Sequence, residues 1–156
     1  MKSNQRTLLF GIGNYGRQDD ALGWLFLDKI AAFLPDSFDV EYRYQLQVED
    51  AELASHYDRI IFIDAHMNTR SHAFLWEHCT PDAPESYTSH ELAPEAIVYL
   101  CNTIYRQFPD TFNLGIAGNS YNLSIGLSAS AEKNLSIALD FFKKEILRLN
   151  AEAIET

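Results

Sequence analysis

The most constraining feature of the sequence is the run from Arg59 to Ile63, which is apolar after its arginine and is followed by Asp64. A strand with one solvent-exposed face alternates apolar and polar residues, whereas a continuous apolar run is typical of a parallel strand that is buried on both faces. A shorter run, Thr7 to Phe10, ends on Gly11. The sequence therefore predicts buried strands at the centre of a sheet that helices cover.

Further strand candidates alternate with helix candidates along the chain. The predicted strands are Thr7–Phe10, Asp39–Leu46, Arg59–Ile63, an edge strand His72–His78 and Phe112–Ala117. The predicted helices are Asp19–Leu34, stopped by Pro35, then Pro94–Gln107, and a long one from about Ala129 to Leu149. This order predicts an α/β fold with a parallel or mostly parallel sheet, helices on both faces and right-handed crossovers.

Composition favours one ordinary domain over residues 1–156, because 47% of the residues are hydrophobic and no linker or repeat divides the chain. The formal charge of -10 repels phosphate backbones and anionic lipid headgroups, so we expect neither a nucleic-acid nor a membrane partner. The first apolar stretch is too short for a signal peptide or a spanning helix. We therefore expect a cytoplasmic protein.

The turn Gly11-Ile12-Gly13-Asn14-Tyr15-Gly16 follows a predicted strand and matches the G-x-G-x-x-G dinucleotide fingerprint. One alternative is therefore a nucleotide-binding oxidoreductase. Two features disfavour it, because Asp19 and Asp20 would face the diphosphate and no acidic residue ends the second strand for a ribose hydroxyl. The simpler interpretation is a tight turn in which glycine supplies a positive φ.

The acidic pair Asp19-Asp20 opens the first predicted helix. One aspartate is expected to be an ordinary N-cap, which we assign to Asp19. The adjacent Asp20 needs another explanation, since neighbouring like charges repel and a bound cation would relieve this. Asp64 follows a central strand at the carboxyl edge of the sheet, where α/β proteins bind their ligands. The other interpretation of Asp64 is a turn residue that bonds to a loop N–H.

His90 precedes the helix that begins near Pro94, so the crossover brings it to the edge that holds Asp20 and Asp64. Two carboxylates and an imidazole suit divalent zinc, nickel or iron. His66, two residues after Asp64, is the rival for the imidazole position, while His72 and His78 fit an edge strand. The sequence thus predicts a metal site of Asp20, Asp64 and His90, with His66 left open.

No nucleophile stands out in the sequence. Neither a G-x-S-x-G elbow nor an H-E-x-x-H helix is present. Cys79 and Cys101 are widely separated. Cys79 has no lysine or arginine close in sequence and Cys101 falls on the predicted buried face of a helix, so both are expected to be structural. The catalytic residue therefore stays unassigned.

Five short motifs in one order resemble the hydrogenase maturation proteases. They are Gly11-Ile12-Gly13-Asn14, Asp19-Asp20 with Gly23, Ile61-Phe62-Ile63-Asp64-Ala65, Ser89-His90-Glu91-Leu92, and Gly126-Leu127-Ser128. Proteins of that family are endopeptidases that remove a C-terminal extension from the large subunit of nickel–iron hydrogenases once nickel is in place. The resemblance spans roughly Leu8 to Leu147.

The resemblance implies a three-layer α/β/α sandwich with a mostly parallel five-stranded sheet. It implies that Asp20, Asp64 and His90 recognise the nickel of the large-subunit precursor rather than hold a permanent metal, and that no organic cofactor is needed. Gly11, Gly13, Asn14 and Asp19 would form the turn beside this substrate site. A non-catalytic chaperone or scaffold of the metallated subunit is the second alternative.

Overall fold

A computed structural model of the chain describes residues 5–67, 72–85 and 91–155. Its strands are β1 (Thr7–Ile12), β2 (Phe38–Arg43), β3 (Arg59–Met67), β4 (Phe74–His78) and β5 (Asp110–Gly118). They form one five-stranded sheet in the order β2-β1-β3-β5-β4. All neighbours pair in parallel except β4, which runs antiparallel to β5 at the edge. The mostly parallel sheet and the edge position of β4 are confirmed.

Four α-helices cover the two faces of the sheet in the described residues: α1 (Leu22–Ile30), α2 (Glu49–Ala54), α3 (Pro94–Ile104) and α4 (Ala129–Glu155). Leu8 and Leu9 are neighbours on β1 that face opposite sides, yet both are 0% exposed. Leu9 packs with Phe26 and Phe142 in the α1–α4 layer, whereas Leu8 lies in the α2–α3 layer. The three-layer α/β/α architecture is therefore confirmed.

The first helix differs from its predicted span, Asp19–Leu34. A 3-10 helix covers Gln18–Ala21, α1 follows, and a second 3-10 helix, Ala31–Phe33, ends where Leu34 becomes extended before Pro35. A residue before proline avoids the α conformation, so Pro35 ends the helix as expected. The short helix α2 was not predicted.

The C-terminal ends of β2 and β3 differ from their predicted positions for the same reason, which is the length of the neighbouring strand. β2 ends at Arg43 rather than Leu46, because its partner β1 ends at Ile12, opposite Arg43. β3 was expected to end before Asp64, but β5 continues the pairing as far as Met67 opposite Gly118. On its other side β3 pairs with β1 only up to Ile63. Asp64 is thus inside the strand and just beyond the end of β1.

Gly23 sets how closely α1 approaches the sheet. A Cβ atom at this position would collide with the carbonyl oxygen of Ile12 and lie 2.6 Å from that of Ile63. These oxygens belong to the ends of β1 and β3, so the helix start rests directly on the carboxyl edge of both strands.

None of the helices in the described part of the chain has the length and apolarity needed to cross a membrane.

Candidate metal and substrate site

Asp64 lies at the carboxyl edge of the sheet, and no basic side chain of the described residues forms an ion pair with its carboxylate. Side chains alternate along a strand, and Ile60 and Phe62 lie in the α2–α3 layer, so Asp64 continues on that face. Its Oδ1 accepts the N–H of Ala65 at 2.7 Å. Burial raises the pKa of Asp64 to about 7, and the charges of Asp20 and Glu91 add to this although the Ala65 bond opposes it. The ionised form of this carboxyl group is therefore destabilised in the folded chain, and a nearby cation would offset that.

Asp20 reaches the same edge from the 3-10 helix that precedes α1. Its backbone is fixed on both sides, because its N–H donates to Arg17 at 3.0 Å and its carbonyl accepts the N–H of Asn14 at 3.0 Å. Burial raises the pKa of its carboxyl group, Arg17 opposes this, and Glu91 adds to it. Within the described ranges neither Asp20 nor Asp64 forms an ion pair.

The segment that leads into α3 is held at this edge by Leu92. Its N–H donates to the carbonyl of Leu46 at 3.1 Å, and both side chains are buried. Glu91, the residue before it, acts electrostatically on Asp20 and Asp64. The predicted ligand His90 lies outside the described residues. The chain on its C-terminal side nevertheless enters α3 beside the two carboxylates, as the crossover argument predicted.

His66 shares the strand face of Asp64 and packs against Gly115, the residue of β5 that pairs with Asp64. It is half-buried, and a Cβ atom on Gly115 of β5 would lie 3.1 Å from that of His66. Among residues 5–67, 72–85 and 91–155, no three His, Cys, Asp or Glu side chains form a group that could hold a metal ion. His66 therefore does not complete a site with Asp20 and Asp64 here, and the choice of His90 stays a prediction.

Asp19 has a different role from the predicted helix cap. It is 0% exposed, and neither the 3-10 helix nor α1 has a side-chain cap. Its carboxylate instead accepts the N–H groups of Asn119, Ser120 and Ser128 at 2.7–2.9 Å, and the hydroxyl of Ser128 at 2.7 Å. Burial alone would raise its pKa, but these bonds outweigh it and lower the pKa of Asp19. The capping prediction was wrong, because the partners lie about one hundred residues away in sequence.

The expected positive φ is not found in the turn from Gly11 to Gly16, where glycine instead allows close packing. Among the glycines of the described residues, only Gly126 has a positive φ. Gly11, Gly13 and Gly16 therefore have backbone conformations open to other residues. Gly13 instead leaves room for the backbone of Asp20, since a Cβ would lie 2.5 Å from its carbonyl oxygen. Gly11 and Gly13 are therefore required by close approach rather than by turn geometry.

Three backbone N–H groups of the same turn, of the kind that cradle a diphosphate, already have partners within the protein. The N–H of Gly13 donates to Arg43, that of Asn14 to Asp20, and that of Gly16 to the side chain of Asn14. Trp24 fills the space above, and its indole N–H donates to the carbonyls of Gly11 and Arg43 at 3.1 and 3.0 Å. These contacts disfavour the nucleotide alternative.

Tyr121 is a site residue that the sequence interpretation missed. It is half-buried, and burial together with the charges of Asp19, Asp20 and Asp64 raises its pKa. Its hydroxyl occupies the place of a side chain on Gly118, where a Cβ would lie 2.5 Å from it. The Gly118-Asn119 pair signalled a break after β5, but a turn signal does not say which side chain fills it.

Both cysteines are buried, as expected for structural residues. Burial, and then the charge of Glu95, raises the pKa of the Cys79 thiol to about 12. Burial raises that of Cys101 to about 11. Because the thiolate is the nucleophilic form, neither side chain is suited to attack a substrate.

The three-layer fold described above is similar to the fold of solved hydrogenase maturation proteases. No family model and no curated protein matches the sequence. The nickel–iron hydrogenase maturation protease HycI from Thermococcus kodakarensis is similar at a TM-score of 0.72 and 18% identity, with 94% of each chain covered. The hydrogenase maturating endopeptidase HybD from E. coli is similar at 0.69 and 19%, covering 88% of this chain and 89% of that one.

A third similar structure is the hydrogenase 2 maturation peptidase from Thaumarchaeota archaeon SCGC_AB-539-E09. Its TM-score is 0.65 at 20% identity, with 91% of this chain and 98% of that chain covered. Coverage is nearly complete on both sides in all three comparisons. The three-layer α/β/α fold implied by the sequence resemblance is therefore confirmed.

Proposed function

We propose that this chain is an endopeptidase that removes the C-terminal extension of the large-subunit precursor of a nickel–iron hydrogenase, and that it recognises the nickel carried by that precursor. The observation that carries the proposal is the pair Asp20 and Asp64. Burial raises the pKa of both half-buried carboxyl groups, and the charge of Asp20 raises that of Asp64 further. Neither forms an ion pair among the described residues, so a divalent cation would stabilise both carboxylates.

The fold supports the same function, since the structures similar to this chain bear the names of hydrogenase maturation peptidases. In this proposal the metal is part of the substrate. Asp20 and Asp64 bind it from the sheet edge, and His90 supplies the imidazole that suits nickel. Recognition of the metal then ensures that only a loaded precursor is held in place for cleavage.

The test is incubation of the purified chain with nickel-loaded and nickel-free precursor, followed by mass spectrometry of the precursor's C-terminus. We expect the loaded form alone to be shortened. Asp20→Asn and Asp64→Asn should abolish shortening, while Asp140→Asn, an equal charge change on the exposed surface of α4, should leave it intact. A loaded precursor that stays uncut in a stable complex would instead support the scaffold alternative.

A further inference from the structure

The loop between β5 and α4, residues 119–128, presents two bare aliphatic side chains beside the site. Leu123 and Ile125 are each 87% exposed, more than any other large hydrophobic residue in the described part of the chain. An isolated exposed leucine needs no explanation, but two together on one loop, next to a candidate site, do.

This loop is fixed to the acidic turn, so the exposed pair is held in place before any partner arrives. Ser124, between the two aliphatic residues, forms a β-bridge with Arg17, and its carbonyl accepts the N–H of Gln18 at 2.8 Å. The side chain of Gln18 in turn accepts the N–H of Asn122 at 3.1 Å. The loop ends at Ser128, which is bound by Asp19.

The charge pattern around the pair says what kind of surface would cover it. No residue from Asn119 to Ser128 is charged. Two charged residues lie where the loop meets the acidic turn. Arg17 bridges Ser124 and donates to the carbonyl of Tyr121 at 3.3 Å, and Asp20 lies two residues beyond Gln18, to which Ser124 is bonded. The apolar tip itself is uncharged, so a partner that covers both the tip and Asp20 would present an apolar depression next to a cation.

We propose that Leu123 and Ile125 insert into an apolar depression of the metal-bearing precursor, beside the metal that Asp20 and Asp64 bind. This inference rests on the proposed function and deepens it, since it identifies a second point of contact with the same partner. Because the loop is already ordered by its bonds to the acidic turn, docking costs little further conformational entropy. The pair sets affinity for the precursor and takes no part in bond cleavage.

The test is the double variant Leu123→Ser with Ile125→Ser, measured on the nickel-loaded precursor. KM should rise about tenfold or more, as expected when buried aliphatic anchors are lost, while kcat stays within about twofold. The affinity of the free protein for Ni²⁺ or Cd²⁺ should not change. The matched control is Leu147→Ser, since Leu147 is also highly exposed, at 71%, and lies about 27 Å along α4 from Ala129. This variant should leave KM unchanged.

A second variant separates loss of apolar contact from loss of folding. Leu123→Met with Ile125→Met keeps the apolar surface and should restore KM to near the wild-type value. If the wild type cleaves the precursor and the serine variant has the same KM, this inference is overturned and the proposed function stands. If the wild type does not cleave the precursor, the proposed function itself is overturned. Sedimentation that finds a wild-type dimer and a monomeric serine variant would make a second copy of the chain the occupant, and would also overturn it.

Discussion

At the scale of single residues, Asp64 makes the metal-free protein sensitive to pH. Its pKa is about 7 in the folded state against an ordinary 3.8, so the folded chain binds the proton more tightly than the unfolded chain. The stability of the wild type should therefore fall as the pH rises from about 4 to about 7 and then level off. Asp64→Asn removes this dependence and should be the more stable protein at pH 8.

Urea unfolding of metal-free wild type and Asp64→Asn at pH 5 and pH 8 measures the effect. The informative quantity is the difference between the two proteins at each pH, because carboxyl groups that do not interact with Asp64 contribute equally to both. Equal differences at the two pH values would mean that Asp64 titrates as an ordinary carboxyl group.

Metal affinity is the second prediction that depends on individual side chains. Asp64→Asn and His90→Ala should each abolish binding of Ni²⁺ or Cd²⁺ in calorimetry, while His66→Ala should not. Below about pH 7 protons compete for Asp64, so the affinity of the wild type should fall there. Normal affinity in His90→Ala with a loss in His66→Ala would assign the imidazole to His66.

At the scale of elements, Asp19 joins the start of α1 to the loop before α4. Asp19→Ala leaves the N–H groups of Asn119, Ser120 and Ser128 without their acceptor in a buried position. We expect a loss on the order of 3 kcal/mol, more than the loss of a helix cap, together with weaker cleavage because the loop loosens. Its lowered pKa means that this stabilisation is present above about pH 4 and is lost as the pH falls further.

Hydrogen exchange of those three amides is the measurement for Asp19. Protection should be lost in Asp19→Ala at the loop, while amides in the centre of β3 exchange as the reduced global stability dictates. If instead the amides at the start of α1 are the ones that lose protection, Asp19 is a helix cap after all.

The contact of α1 with the sheet gives a second prediction for elements. Gly23→Ala places a methyl group against the carbonyl oxygens of Ile12 and Ile63, which cannot move without displacing two strands. The variant should lose about 1–3 kcal/mol in urea unfolding. Gly16→Ala is the matched control, because its Cβ meets only the side chain of Asn14 at 3.3 Å. Equal stability of the two variants would contradict the role given to Gly23.

At the scale of the whole molecule, the α1–α4 layer depends on Phe142. It is 0% exposed and packs edge to face on Phe26, with the ring centroids 5.3 Å apart. Phe142→Ala should cost about 3–5 kcal/mol in urea unfolding, as expected for a large cavity in the core. Phe108→Ala removes a ring that is 74% exposed and should change stability by no more than about 0.5 kcal/mol. Similar losses in both would mean that α4 does not close the core.

The sequence predicted the architecture well because the relevant signals are local. The apolar run at Arg59–Ile63 and the alternation of strands with helices reflect burial, and burial fixes the layers. Asp20 and Asp64 were found because strand ends and helix starts meet at one edge. The partners of Asp19 could not be predicted, since they arrive from a distant part of the chain. The same holds for the place of Tyr121 beside Asp19, Asp20 and Asp64. The clearance at Gly13 depends on how the turn folds back onto Asp20, which the sequence pattern does not show.

The bond between Asp19 and Ser128 also has a consequence for protein synthesis. The two residues are 109 positions apart, so the acidic turn stays unanchored until the ribosome has released the chain beyond Ser128. The parallel pairing of β3 with β5 imposes the same delay, because β5 is the last strand to emerge. A nascent or misfolded chain therefore lacks the ordered acidic edge that holds Asp20 and Asp64. Under the proposed function, only the finished molecule is able to engage the precursor.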